Sequence, residues 1–129
     1  MDSKALSKAR LEQAQDCLEI AQIAFDKNFY RDSANRSYYA IFHAMRAVLA
    51  LDGFDSKKHS GIMSQFNINH IRTGNFEKRF SKTIDNAFTV RHHSDYDDMY
   101  IAVKSDIAEQ LANAREFVAA VTDYLANLP

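Results

Sequence analysis

Arg36 and His43 stand seven residues apart in the run Asn-Arg-Ser-Tyr-Tyr-Ala-Ile-Phe-His-Ala-Met-Arg, from Asn35 to Arg46. On a helix that is two turns, about 10 Å along the axis, so the pair could contact two successive phosphates or hold one ligand from either end. At about 100° per residue, Arg36, Ala40, His43 and Ala47 share one stripe, whereas Tyr38, Ile41, Met45 and Val48 share another. A guanidinium among aromatic rings is costly unless a carboxylate or phosphate answers it. Asp32, four residues earlier, and Asp95, late in the chain, are candidate partners. So paired, Arg36 would only tie helices together, and spacing alone favours that plainer role.

The densest chemistry lies at Arg91, His92, His93, Ser94, Asp95, Tyr96, Asp97 and Asp98. Imidazole titrates near neutrality, so His92 or His93 could act as general acid or base while Arg91 holds a phosphate. Asp95 could orient either group, and Tyr96 offers a hydrogen bond or a stacking surface. Adjacent histidines diverge by about 100° on a helix. A metal centre on His93 and Asp97 would therefore lack further ligands, and neither a metal nor a cofactor is expected. A solvated helix end is the commoner explanation of such a run. Lys57, Lys58 and His59 make a small basic loop, of which Lys58 and His59 are candidate ligand contacts. There is no glycine-rich phosphate loop, no nucleophile elbow and no paired-carboxylate motif, which argues against NTPase, kinase and hydrolase chemistry. No short basic helix follows a glycine turn, which argues against helix-turn-helix DNA binding.

The elements that must position these groups are helical. With 129 residues, 47% of them hydrophobic, the chain suits one domain spanning residues 1–129. Three glycines and one proline leave almost no turn punctuation, so an all-α fold follows. A net charge of -1 gives no whole-molecule field for nucleic acid, and any such binding must use a local basic patch. Cys17 is alone, which excludes an intrachain disulfide. The N-terminus lacks an apolar signal core and no window suits a membrane span, so the expected location is cytoplasmic.

Leu11, Ala14, Leu18, Ala21 and Phe25 predict a helix from about Ser3 to Lys27, and a second spans Tyr30 to Leu51 with Gly53 just beyond its end. A short helix is predicted from His59 to Ile71. Phe76, Phe80, Ile84 and Phe88 mark a fourth, ending in the polar run. Ser105 or Asp106 can cap the fifth, whose stripe is Ile107, Leu111, Ala114, Val118, Val121, Leu125 and Leu128. The expected architecture is an up-and-down bundle of four long helices and a short one. Tyr39, Phe42 and Leu49 form a further row on the second helix, more apolar surface than one bundle should cover, which predicts a homodimer or a partner protein across it.

Arg36, Tyr38, Tyr39, Ala40, Phe42 and His43 resemble the Arg-x-Tyr-Tyr-Ala-x-Phe-His signature of a branch of the HEPN family, small helical domains named for nucleotide binding. Lys58, His59 and Ser60 are similar to its following loop motif, and Arg91, Asp95 and Tyr96 to its later Arg-x-x-x-Asp-Tyr motif. The resemblance implies a dimerising helical bundle, often encoded beside a small nucleotidyltransferase in toxin-antitoxin or defence systems. Many relatives are metal-independent RNases with an Arg-x(4 to 6)-His motif between protomers. Counted from Arg91, the histidine positions of that motif hold Tyr96, Asp97 and Asp98. Arg36 and His43 do have six residues between them, but on the earlier helix. The resulting expectation is RNA or nucleotide binding, with ribonuclease activity open, against the alternative of a non-catalytic dimer that docks a nucleotidyltransferase.

Overall fold

One helix sits at the centre of the others. The computed structural model describes residues 2–129. Among them are five α-helices, α1 (Ser3–Asp26), α2 (Tyr30–Leu51), α3 (His59–Phe66), α4 (Arg79–Tyr96) and α5 (Lys104–Ala126), with a π-helical turn at Asn67–Ile71 continuing α3. The bundle is all-α, as the scarcity of breakers implies. α2 packs most extensively on α1 and also meets α5, α4 and α3. Tyr38, Ile41, Met45, Val48 and Leu49 are fully buried there, against Ala14, Leu18 and Ala21 of α1 and Leu111, Ala114 and Val118 of α5. The surplus apolar surface expected on α2 is absent, because Phe42 and Leu49 are both covered within the chain. A bundle that wraps a helix from four directions buries more of its circumference than one seam would.

Between Asn35 and Ala50, what stays partly open on α2 is one stripe: Asn35, Arg36, Tyr39, His43 and Arg46. Ala40 and Ala47, expected on the same face as Arg36 and His43, are buried. Small residues there let neighbouring helices approach, and the long polar side chains lie along the resulting groove edge.

Helix ends follow local chemistry with some corrections. Asn28, at φ 66°, makes the left-handed turn between α1 and α2 that asparagine tolerates. Gly53, at φ 74°, lets the Phe54 N–H reach back to Leu49 and close α2. Phe76 precedes α4 rather than opening it, and packs its ring on Phe66 and Phe117. α5 starts at Lys104, behind Val103, so Ser105 and Asp106 lie inside its first turn and neither caps it. α4 ends within the polar run, as expected, and carries it as helix to Tyr96. No helix among the described residues is long and apolar enough to cross a membrane.

Candidate functional site

Tyr39 is where α2 and α4 bring their cations together. The Arg36 guanidinium lies over its ring at 5.4 Å and the Arg91 guanidinium at 5.3 Å. An Arg91 N–H donates to the Tyr39 hydroxyl at 3.0 Å. Arg91 also lies over Tyr38 and Tyr96, each at 5.4 Å, so three phenol rings surround it. Aromatic faces attract a guanidinium without neutralising it.

The carboxylates sit elsewhere than expected. Neither Asp32 nor Asp95 pairs with Arg36, whose Nε donates instead to the side-chain oxygen of its neighbour Asn35 at 3.0 Å. The Asn35 amide in turn donates to Asp95 at 2.8 Å. Asp95 lies 2.8 Å from Arg91 Nε, one helical turn away, although that N–H is not aimed at the oxygen. Asp95 therefore answers Arg91 directly and Arg36 only through Asn35. Arg36 further meets the Cys17 thiol, whose pKa burial pushes up against the influence of that guanidinium.

Two imidazoles join the cluster from below. The His59 ring, at the first position of α3, lies 4.3 Å from the Phe42 ring, with its Nδ1 2.8 Å from the Tyr38 hydroxyl. Burial holds the Tyr38 phenol protonated, and its hydroxyl shares a hydrogen bond with His59 Nδ1. Burial, then Arg91 and Arg46, lower the His59 pKa. His43 packs beside Tyr39, its Nδ1 buried and without a partner. Burial, with Arg46, Arg36 and Arg10 nearby, brings its pKa down to about 4. Both rings are neutral at pH 7, so guanidinium groups carry the charge of the site.

Of the other expected residues, His92 stands at the rim, its ring 5.2 Å from Tyr96 and stacked on Phe88. His93 turns away, stacking on Tyr100 and approaching Asp97 at 3.8 Å. The divergence of adjacent helical residues separates the two histidines. Lys58 is exposed at the edge, just before α3. Among the described residues, no three His, Cys, Asp or Glu side chains converge as metal ligands would. Grooves of about 200 to 490 Å³ open elsewhere on the molecule, and the stripe residues Asn35, Arg36, Tyr39, His43 and Arg46 are partly exposed.

Sequence reasoning missed Arg31. Its guanidinium donates to the Ser94 and Asp97 carbonyls at 3.0 and 3.1 Å, and to those of Asp98 and Tyr100, where it holds the last turn of α4 onto α2. A basic residue opening a helix carries no local sign that its partner lies more than sixty residues away. Also missed was Arg46, two turns beyond Tyr39 on the same stripe.

The HEPN domain family matches residues 7–124, which includes every residue of this cluster. The chain belongs to the HEPN family. Among its relatives is a protein of Methanocaldococcus jannaschii named "Putative toxin MJ0605", 34% identical over 69% of this chain and 66% of its own length. A UPF0332 protein of Archaeoglobus fulgidus is 31% identical over 83% of this chain and 84% of its own. The crystal structure of ST0689, an archaeal HEPN homologue, superposes with a TM-score of 0.67 at 19% identity, covering 92% of this chain and 97% of that one. That similarity supports the HEPN fold; the tyrosine-centred cluster is read from this chain's own geometry.

Proposed function

We propose that this HEPN domain binds RNA through its phosphates, in a toxin-antitoxin or defence-like module. The observation that carries the reading is the pair of guanidinium groups, Arg36 and Arg91, on one tyrosine ring with a single carboxylate, Asp95, between them. Arg36, partly exposed, and Arg91, mostly buried, offer N–H donors to phosphate oxygens, and the rims of Tyr39 and Tyr96 offer stacking surfaces for bases. An open stripe suits an extended strand better than a lone nucleotide, which is usually held in a pocket. The names of two relatives in Methanocaldococcus jannaschii, both "putative toxin", support the module.

Binding of a single-stranded RNA, followed by fluorescence anisotropy at several salt concentrations, tests this. Arg36→Ala and Arg91→Ala should each weaken binding and reduce the salt slope by about 0.7. No binding at low salt, or binding indifferent to both changes, rejects the reading.

Cleavage is a second reading, favoured by His92 beside Tyr96 and Arg91. A base takes the proton of a ribose 2′-hydroxyl, that oxygen attacks the adjacent phosphorus, and the 5′-oxygen leaves with a proton, giving a cyclic phosphate. Arg91 would stabilise the charge on the crowded phosphorus, with His92 as base or acid. Cleavage in EDTA that Arg91→Ala and His92→Ala abolish would support it; no cleavage would leave a binding protein. The homodimer and a nucleotidyltransferase partner belong to the same proposal. Support for assembly now comes from exposed Phe29, Tyr96, Met99 and Ile101 around the end of α4, and a monomer in light scattering would oppose it.

A further inference from the structure

The stripe of α2 does not end at His43. One turn on, Arg46 lies over the Phe42 ring at 5.7 Å, while the His59 ring packs on the same phenylalanine. Arg46 shares Asp55 with Arg10: the carboxylate accepts from Arg10 at 3.1 Å and from Arg46 at 3.3 Å. Arg10 is nearly wholly buried, and its other N–H donates to the Arg46 carbonyl at 3.2 Å. Two guanidinium groups thus have one carboxylate, which leaves a positive surplus. Asp55 is itself half exposed, so it is the member that a bound anion can replace.

Three further groups at this spot lack partners. Arg46 Nε and His43 Nδ1 are both buried without a hydrogen bond. α3 begins at His59 with no side-chain cap, so the positive end of its dipole lies beside His59. Lys58 flanks it. The remaining N–H groups of the Arg46 guanidinium, which is partly exposed, and the uncapped helix start suit a phosphate.

We infer that Arg46, His43 and the first turn of α3 form a second phosphate subsite, so that the stripe holds two phosphates of one strand, the other lying over Tyr39. Seven residues separate Tyr39 from Arg46, about 10 Å along the helix, a span that two phosphates of one strand can bridge. This rests on the RNA-binding reading, but concerns a different end of α2. The ligand class it specifies is an oligonucleotide; a nucleoside monophosphate could fill only one subsite. An anion here would also draw a proton onto His43, because it offsets the surrounding guanidinium charge.

The test uses a twelve-residue oligouridylate and, separately, uridine monophosphate, with the intact protein. Arg46→Gln should weaken oligonucleotide binding at least fivefold and lower its salt slope by about 0.7, as loss of one phosphate contact requires. Asp55→Asn, which removes the competing carboxylate, should strengthen it at least threefold, a gain that a damaged fold cannot imitate. The monophosphate should respond to Arg36→Ala but little to Arg46→Gln. Wild-type oligonucleotide binding that both Arg46→Gln and Asp55→Asn leave unchanged, or both weaken, overturns the second subsite while the first reading stands. Absence of RNA binding by the wild type removes both, and monophosphate binding as tight as that of the oligonucleotide also overturns the second subsite.

Discussion

The Arg31 guanidinium donates to the Ser94 carbonyl at 3.0 Å, joining the first turn of α2 to the last turn of α4 across 63 residues. Helix C-termini leave carbonyls without intrahelical donors, and a cation placed there satisfies them while opposing the negative end of the dipole. Asp95 and Tyr96 lie between the carbonyls that Arg31 grips, so the shape of the site depends on a residue that touches none of its rings and lies over Tyr100 outside it.

Arg31→Ala should therefore cost about 1.5–3 kcal/mol, the usual range for hydrogen bonds from a charged donor, read as a lower thermal midpoint. Arg31→Lys should recover only part of the loss, because an ammonium cannot fork across several carbonyls. RNA affinity should fall with the same order of severity. An Arg31→Ala protein as stable as the wild type would show that α4 holds its end unaided.

His43 makes stability depend on pH. Its folded pKa, about 4, lies below the ordinary imidazole value, so between about pH 6.5 and 4 the unfolded chain binds a proton that the folded chain refuses. Stability is unaffected above that window and falls as pH drops through it, by an amount that solvent screening of this half-buried ring keeps below roughly 3 kcal/mol. His43→Gln should flatten this part of the curve in urea unfolding followed from pH 7 to 4. An unchanged slope in that variant would assign the acid sensitivity to other groups.

His70 pins the π-helical turn to the end of α2. Its Nε2 donates to Asp52 at 2.6 Å, and its Nδ1 accepts from Asn75 at 3.1 Å, with Phe66, Phe76 and Tyr124 around the ring. Asp52→Ala leaves a buried N–H unanswered and should cost about 1.5–3 kcal/mol. The expected signature is a lower urea midpoint at constant m.

Gly61 lies inside α3, where replacement by alanine would ordinarily add up to about 1 kcal/mol. A Cβ there would stand 2.6 Å from Ser56 Oγ, the atom that accepts the Lys58 N–H. Gly61→Ala should thus be neutral or destabilising in a thermal melt. A full gain of about 1 kcal/mol would mean that Ser56 moves aside freely.

Periodicity located all five helices, because burying a stripe every three or four residues is a local property of the chain. It could not separate the last turn of the predicted His59–Ile71 helix as π-helical, since that depends on His70 reaching Asp52. Nor could it place the α5 start, where Ser105 and Asp106 are both good cap residues but the helix begins behind Val103 with no side-chain cap. The resemblance fixed the family, and residue types alone marked Arg36, Tyr39, His43, Arg91 and Asp95 as chemically loaded.

Which of them meet was decided only by the tertiary structure. Asp95 reaches Arg91 instead of Arg36, Tyr39 receives both guanidinium groups, His93 rotates out, and Arg46 joins with Arg10 and Asp55. Helical phase follows from the chain's own spacing, whereas the pairing of charges depends on how α2 and α4 are rotated against each other, and that rotation is set by apolar contacts distributed along their whole lengths.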